Sequence, residues 1–460
     1  MIQVEEEPAM TDTIIAQSTP SGQSALAIVR VSGPLCDRIA KDALALPSPT
    51  PRVSHLRNYQ LSDSEIIVDQ VISVFFPSKK SFTGENTLEI SCHGNPFIVE
   101  KILEDLVKRG CRIAKPGEFT KRAFLSGKID LTQAESIAEL ISAKSEAELK
   151  IANLNLAGVQ GSFCNSLQDR ILTLQAKLEA SIDYPEEEIE SDSKSIIMNE
   201  VESIINEMQF AIESSGKKKF LTNGIKVLIL GPANVGKSTL FNSLIGAQRA
   251  LVSQTPGTTR DYISSHVYIG DFQIELIDCA GIRTTENSTE NLGIEKTVEL
   301  IDEAFLVLFT VDASLPYPID FDQRALDKIS GKAVIVVENK KDLTKVVTSD
   351  QYPENIQTIS ISARDDDDVK NIAYLINAHL TQEFSHDPSK ELMVNTRHAN
   401  LLNNSLPHLL TAKILIEEGE GEEFVLQELS NSRKFIDEII GIKSNEDILD
   451  KIFCEFCIGK

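Results

Sequence analysis

The sequence predicts a multidomain α/β protein, in which a doubly wound P-loop domain is inserted into a helical domain that follows an N-terminal α+β domain. Three observations lead to this prediction. The chain has 460 residues, more than one domain usually holds. Residues 231–238 match G-x-x-x-x-G-K-[ST], between an apolar run typical of a buried strand and the start of a helix. Apolar residues at helical spacing precede this segment and return after it.

Changes in periodicity and composition along the chain predict four segments. These are an α+β domain at 11–127, the first part of the helical domain at 128–217, the inserted P-loop domain at 218–380, and the second helical part at 381–460. Residues 1–10 are a leader that lies outside the family resemblance. The inserted domain is expected to begin at a polar break over residues 214–219.

Local patterns predict the elements of each segment. Short β-branched or aromatic runs at 25–31 and 71–76 predict strands, and 97–107 predicts a helix that ends at Gly110. Two acidic segments, 365–368 and 417–423, predict solvated loops. The core stripes of the helical domain are expected at Ala134, Ile137, Ala138 and Ile141; at Leu167, Ile171, Leu174, Leu178 and Ile182; at Val201, Ile204, Ile205 and Met208; at Leu402, Leu406, Leu409 and Leu410; and at Phe435, Ile436, Ile439 and Ile440.

Composition also limits the class of protein. The chain has 42% hydrophobic residues, no apolar run near the ~18 residues of a membrane span, and an acidic N-terminus unlike a signal peptide. Its seven cysteines show no framework spacing, so we expect reduced thiols, a cytoplasmic location and no membrane association. The net charge is −24, without a basic stripe. If the substrate is RNA, we expect a partner to supply much of the binding surface. The alternative is that the acidic charge serves only solubility.

Ordered motifs after the P-loop indicate a GTPase. Lys237 is expected to reach the β- and γ-phosphates, while Ser238 and Thr259 would ligate Mg²⁺. Asp278 would contact the metal through water, and the Gly281 N–H would sense the γ-phosphate. Asn339 and Asp342 would read guanine. The predicted GTP-binding residues are Gly231, Asn234, Val235, Gly236, Lys237, Ser238, Thr239, Ser253, Thr258, Thr259, Asp278, Gly281, Asn339, Lys340, Asp342, Ser362 and Ala363.

The sequence does not show how the transition state is stabilised. Ras-type GTPases place a glutamine after Asp-x-x-Gly to orient water, but here that position is Ile282. No cis arginine finger is evident. Asn234, inside the P-loop, leaves two interpretations open: a hydrogen bond that shapes the loop, or a ligand of a monovalent cation that replaces the finger's charge.

Several further motifs together resemble the MnmE (TrmE) family of tRNA wobble-uridine modification GTPases, over 11–460. They are residues 11–16 with Gly22 and Arg30, 81–89 with 93–94, 116–124, 128–135, 257–261 and the C-terminal Cys457-Ile458-Gly459-Lys460. The resemblance implies an N-terminal domain similar to folate-binding domains, which forms a homodimer. It also implies a Ras-like GTPase domain.

The resemblance further implies specific site residues. A 5-formyl- or 5,10-methylene-tetrahydrofolate would be bound at Arg30, Glu89, Lys128 and Lys460. K⁺ would be bound at Asn234, Ser253, Thr255 and Thr258, and Glu290 and Arg260 would act in hydrolysis. FAD would belong only to the partner MnmG (GidA), in a heterotetramer-type complex that also provides most of the tRNA contact. The joint reaction would place a carboxymethylaminomethyl-type group on C5 of uridine 34.

Two alternatives remain open at this stage. Cys457 forms Cys-x-x-Cys with Cys454, but no second ligand pair is evident, so catalytic contact near the folate or a packing role is favoured over a metal site. The competing function is a regulatory switch, such as a ribosome-assembly GTPase without modification chemistry. A third is a nucleotide-gated scaffold whose GTP hydrolysis only times the chemistry of a partner. The acidic loop after Ala363 and the Cys279 in Asp-Cys-Ala-Gly depart from the family pattern without touching a residue assigned to chemistry.

Overall fold

The structure is a computed structural model. It describes residues 12–64, 66–183, 191–247, 263–279, 290–315, 323–344, 356–384, 394–442, 446–454 and 456–459. The chain forms two compact units. One comprises Met1–Ile141, Leu154–Asn199 and Pro407–Lys460, and the other comprises Ser142–Asn153 and Glu200–Leu406.

The first unit begins with a six-stranded sheet. Its strands are β1 (Ile14–Gln17), β2 (Ser24–Ser32), β3 (Ser54–Gln60), β4 (Ile67–Phe76), β5 (Thr87–Gly94) and β6 (Arg112–Ile113), in the order β3-β4-β5-β2-β1-β6. All neighbours are antiparallel except β1 and β6. Helices α1 (Cys36–Leu44) and α2 (Pro96–Lys108) pack on one face. The predicted strands and helix are confirmed. Helix α2 begins where the Asn95 side chain accepts the Phe97 N–H and Pro96 takes the first position.

Five helices follow: α3 (Glu118–Leu125), α4 (Leu131–Ser142), α5 (Glu146–Leu156), α6 (Val159–Asp183) and α7 (Ser191–Asn223). The predicted stripe on α6 is buried from Leu167 to Leu178. Ile141 and Ile182 were expected to extend their stripes, but they are exposed by 43% and 37%. Each lies in the last turn of its helix, where helical spacing continues but the apolar packing does not.

The second unit contains a six-stranded sheet of the doubly wound type. Its strands are β7 (Ile225–Leu230), β8 (Ile263–Ile269), β9 (Phe272–Asp278), β10 (Leu306–Asp312), β11 (Ala333–Asn339) and β12 (Gln357–Ser360), in the order β12-β11-β10-β7-β9-β8. Only β8 is antiparallel to its neighbour. Alternate residues face opposite sides: Val227 and Ile229 join one apolar cluster, whereas Leu228 and Leu230 join the other. The first cluster includes α8 (Lys237–Ala247) and α11 (Asp366–Phe384), and the second includes α9 (Glu290–Glu303) and α10 (Gln323–Ile329).

Three further helices complete the chain: α12 (Thr396–Glu418), α13 (Glu422–Ile440) and α14 (Glu446–Cys454). Within the first unit, α6 packs against α13. The stripes predicted on α12 and α13 are buried at Leu402, Leu409, Ile436 and Ile439, whereas Leu410 is exposed by 40%. Among the described residues, no helix combines the length and the apolar character needed to cross a membrane.

The predicted polar break at 214–219 is wrong, and the predicted acidic loops are right only in part, since Asp365 and residues 419–421 lie outside helices and are exposed. Residues 214–219 lie inside α7, because a run of lysines favours helix despite its polarity. The domain limits predicted at 217 and 380 consequently fall within α7 and α11. Of the acidic segments, Asp366–Asp368 form the first turn of α11, while Glu417–Glu418 end α12 and Glu422–Glu423 begin α13. Carboxylates are favourable in a first helical turn because of the helix dipole.

Candidate functional site

The glycines of the P-loop lie where only glycine fits. The loop joins β7 to α8 and begins at Gly231, whose φ is +139°. A Cβ there would lie 2.0 Å from the Thr310 carbonyl oxygen. Gly236 has a φ of +100°, and a Cβ on it would lie 2.3 Å from Asn339 Nδ2. The motif therefore follows from the backbone path and from close neighbours on β10 and at the end of β11.

Lys237, Ser238 and Asp278 lie together at the start of α8. Lys237 Nζ donates to the carbonyls of Gly231 at 2.8 Å and Pro232 at 2.6 Å, which places the ammonium across its own loop. Burial lowers the pKa of Lys237, and the neighbouring Asp278 carboxylate opposes that change. Ser238 Oγ donates to Asp278 Oδ2 at 2.7 Å. Asp278 ends β9 in register with Ile229 and is almost fully buried.

The P-loop also contacts the lysine of the Asn-Lys-Lys-Asp motif. Asn234 has a φ of +63°, and its carbonyl accepts a hydrogen bond from Lys340 Nζ at 2.9 Å. The same ammonium donates to Asp312 Oδ2 at 2.6 Å. Burial opposes ionisation of Asp312, but hydrogen bonds from Lys340 and Ser314 outweigh it, so the pKa of Asp312 is lowered.

Asp312 is a site residue that the sequence analysis missed. Its signal is visible in hindsight, because it ends the fully buried strand β10 as Asn339 ends the neighbouring β11. Polar residues at the carboxyl ends of adjacent parallel strands meet at one edge of the sheet, where ligands of such folds bind.

Asn339 connects the P-loop with the loop that contains Ala363. Its Nδ2 donates to the Val235 carbonyl at 2.8 Å, and its Oδ1 accepts the Ala363 N–H at 2.9 Å. Asn339 is 3% exposed, so it holds two loops together from inside the protein. Asp342, in contrast, is exposed on the turn that follows. Its side chain is therefore open to solvent.

Several predicted site residues fall outside the described part of the chain: Ser253, Thr255, Thr258, Thr259, Arg260, Gly281 and Lys460. Glu290 begins α9, but its side chain is also outside the described part. Thr239 follows Ser238 in the first turn of α8 and is exposed.

A second cluster lies on the N-terminal sheet of the first unit. Arg30 and Glu89 face each other in the β2–β5 register. Arg30 Nε and Nη2 donate to Glu89 Oε1 at 3.0 and 2.8 Å, and the guanidinium lies 5.8 Å from the centre of the Phe119 ring. Their side chains are 23% and 27% exposed, so the pair is accessible from one side.

The C-terminus packs beside this pair. The Gly459 carbonyl accepts hydrogen bonds from Ser18 Oγ at 3.1 Å and from Arg30 Nη1 at 3.4 Å. Behind it, Phe453 and Phe456 are buried in a cluster with Leu131. The structure thus brings Arg30, Glu89 and the residue before Lys460 together.

The other residues predicted near this cluster make different contacts. Lys128 Nζ donates to the Lys79 carbonyl at 2.8 Å. Cys457 accepts the Gly117 N–H through its carbonyl at 3.4 Å, while its thiol is exposed. Cys454 is exposed too, and its thiol donates to the Lys451 carbonyl. Neither thiol belongs to the hydrophobic core.

The chain matches two family descriptions and a set of full-length relatives. The family described as the GTP-binding protein TrmE N-terminus matches residues 13–128, and the MnmE helical domain matches residues 131–457. The chain belongs to the MnmE family of tRNA modification GTPases. MnmE proteins are GTP hydrolases involved in tRNA modification, and the chain is an enzyme of this kind.

MnmE relatives from distant bacteria align over nearly the whole chain. The tRNA modification GTPase MnmE of Thermotoga maritima is 37% identical, covering 98% of this chain and 100% of the relative. The protein of the same name from Opitutus terrae is 39% identical, with the same coverage of both chains. A solved G domain of the FeoB iron transporter of T. maritima matches 34% of this chain and 98% of its own, at 21% identity and a TM-score of 0.25, which is too low to bear on function.

Proposed function

We propose that this MnmE protein hydrolyses GTP with Mg²⁺ and K⁺, and that it acts with the FAD-dependent partner MnmG (GidA) on the tRNA wobble uridine. The product would be a carboxymethylaminomethyl-type group at C5 of uridine 34, with its one-carbon unit taken from a tetrahydrofolate. The observation that carries the tRNA-modifying part of this proposal is the convergence of Arg30, Glu89 and Gly459 in the first unit.

The nucleotide part rests on the P-loop contacts. Lys237 and the loop N–H groups would hold the phosphates at the N-terminus of α8. Ser238, bonded to Asp278, offers the oxygen ligands that Mg²⁺ prefers, and Thr259 would supply another. Within the described residues, no group of three or more His, Cys, Asp or Glu side chains is placed to hold a metal ion.

Hydrolysis would use groups other than a Ras-type glutamine. Glu290, at the start of α9, would orient the attacking water, and Arg260 would assist. Asn234 is exposed at the tip of the P-loop, with its backbone fixed by Lys340. It would bind K⁺ together with Ser253, Thr255 and Thr258. The ion supplies positive charge near the phosphates when bound.

The folate part rests on complementarity. Glu89 is an acceptor that suits the N–H edge of a pterin, while Arg30 and Lys128 suit carboxylate or ring oxygens. Lys460 is the next residue after Gly459, which already contacts Arg30. Cys457 would act close to this site through its exposed thiol.

The N-terminal sheet also supports a homodimer. Leu56 and Ile72 face each other across β3 and β4, and they are 56% and 43% exposed. Leu26 on β2 is 58% exposed. An apolar sheet face of this kind is typical of a protein interface. The acidic chain would rely on MnmG for most tRNA contacts, in the cytoplasm.

The test compares folate and nucleotide binding by isothermal titration. Glu89→Ala should weaken 5-formyltetrahydrofolate binding by at least tenfold and leave GDP affinity unchanged. Glu104→Ala is the matched control, since Glu104 is an exposed acid of the same unit that pairs with Lys101 one turn away on the same helix. If Glu89→Ala binds folate as tightly as the parent protein, this cluster is not the folate site.

A deletion strain tests the function as a whole. Complementation with the full chain should restore the C5-modified uridine in tRNA, and a flavoprotein should copurify. Restoration of growth with unmodified uridine, and without a flavoprotein, would instead support the regulatory switch.

A further inference from the structure

Two loops that end neighbouring strands are held against each other in the second unit. One follows Asn339 at the end of β11 and contains Lys340–Leu343, and the other follows β12 and contains Ile361–Arg364. Lys341 N–H donates to the Ile361 carbonyl at 2.9 Å, and Ser243 Oγ donates to the Ala363 carbonyl at 2.7 Å. These loops carry the proposed base-recognition residues, so their relative position decides how well a base fits.

Asp368 contacts both loops with one carboxylate. Its Oδ2 accepts the Ser362 N–H at 2.7 Å, and its Oδ1 forms an ion pair with the Lys341 ammonium. Lys341 directly precedes Asp342, and Ser362 directly precedes Ala363. Asp368 itself is 7% exposed and lies in the first turn of α11. Asp368 is therefore a buried bridge between two residues, each of which directly precedes a proposed base-recognition residue.

The bridge needs two acceptor oxygens. A carboxylate can accept from Lys341 and from Ser362 N–H at the same time, whereas an asparagine has one acceptor and presents a donor in place of the other. The carboxylate is also preorganised, because Asp365 Oδ1 accepts the N–H groups of Asp367 at 3.0 Å and Asp368 at 3.2 Å. This arrangement fixes the start of α11 and hence the direction of the Asp368 side chain.

We infer that Asp368 is a positioning residue for guanine recognition. By bridging Lys341 and Ser362, it fixes the positions of Asp342 and Ala363 relative to each other. It does not touch the nucleotide. The inference rests on the proposed role of Asp342 in reading the base. It gives a function to the acidic segment 365–368, which the sequence suggests is only a solvated loop.

The test measures base discrimination with full-length protein. Affinities for GDP and for inosine diphosphate, which lacks the exocyclic amino group, are compared by titration in the parent and in Asp368→Asn. We expect GDP affinity to fall by about tenfold, the loss typical of one charge-assisted hydrogen bond, and inosine diphosphate affinity to fall by less. The preference for guanine would therefore decrease.

The matched control is Asp367→Asn, which removes the same charge one residue earlier. Asp367 is 87% exposed and pairs with Lys370, away from both loops. It should leave both affinities unchanged. Lys341→Met should reproduce the Asp368→Asn effect without the risk of a folding defect, since Lys341 is 44% exposed. The double variant should be no worse than either single variant, because both remove the same ion pair.

Each outcome is informative. Equal weakening of both nucleotides with a lower melting temperature would make Asp368 a structural residue only and overturn the inference. So would an unchanged preference in both Asp368→Asn and Lys341→Met. If Asp342→Asn also leaves the preference for guanine unchanged, Asp342 does not read the base, and the failure lies in the proposed function. If Asp342→Asn lowers the preference and the Asp368 variant does not, the failure lies in the inference about Asp368 alone.

Discussion

Replacing Gly459 by alanine should release the last residues of the chain from the N-terminal sheet. Gly459 has a φ of +93°, a conformation that costs a residue with a Cβ about 1–2 kcal/mol. The added Cβ would also lie 2.4 Å from the Gln17 carbonyl oxygen, a backbone atom that cannot swing aside.

The opposing stabilisation is small. Undocking breaks three hydrogen bonds, those from Ser18 and Arg30 to the Gly459 carbonyl and that from Gly117 to the Cys457 carbonyl, each worth about 1 kcal/mol. The cost of the left-handed φ and the clash with the Gln17 backbone together offset most of that sum, so a large fraction of the Gly459→Ala molecules should have an undocked terminus. Phe456 remains buried, which limits the change to residues 457–460 and leaves global stability nearly unaffected.

Carboxypeptidase digestion measures this release directly. The terminal residues of Gly459→Ala should be removed at least tenfold faster than those of the parent, while GTP hydrolysis stays within about twofold. Folate affinity should fall if the proposed site is correct. Gly216→Ala is the control, because a Cβ on Gly216 meets no atom within 4 Å. Equal digestion rates for Gly459→Ala and the parent would refute the reasoning.

Four other variants or conditions test separate parts of the molecule. Asp342→Asn should weaken GTP and favour xanthosine nucleotides, whose C2 oxygen pairs with an amide donor; unchanged GTP affinity in a titration would contradict this. The rate of GTP hydrolysis should fall strongly when Na⁺ replaces K⁺, because the proposed site at Asn234 would fit an ion of the size of K⁺. Equal rates in the two salts, measured by phosphate release, would exclude a role of K⁺ in hydrolysis. Glu290→Ala should lower kcat far more than it lowers GTP affinity, since water positioning acts on the transition state. Asp105→Asn should destabilise the first unit by about 3 kcal/mol at neutral pH, since it breaks a buried pair with Arg109. Hydrogen bonds outweigh burial and lower the pKa of Asp105 in the folded state, so its stabilisation is present above the ordinary pKa of 3.8 and is lost as the pH falls through the lower value. Acid titration of Asp105→Asn should lack that loss.

The parts of the fold that follow local rules could be predicted from the sequence. The P-loop, the buried β7 and the α6 stripe depend on spacing within a few turns, so periodicity and motif were sufficient. The unbroken α7 could not be predicted in this way. Its polar lysines and serines match a loop in composition, yet they remain helical.

The site contacts that were missed depend on which strands are neighbours. Asp312 meets Lys340 only because β10 lies beside β11, and Asp368 meets Lys341 only because β11 lies beside β12. Arg30 and Glu89 were both expected at the folate site, but the ion pair between them was not foreseen, and it follows from the β2–β5 register. Spacing along the chain does not encode these cross-strand relations.

Burial separates the acids that hold the site from those that can meet a ligand. Asp278, Asp312 and Asp368 are nearly buried, and each has a protein partner, because an unpaired buried carboxylate is too costly to keep. Asp342 is exposed, and Glu89 is partly exposed beside one cation. Substituting a buried acid should therefore change melting temperature and ligand affinity together. Substituting Asp342 or Glu89 should change affinity alone, and this contrast distinguishes residues that shape a site from residues that use it.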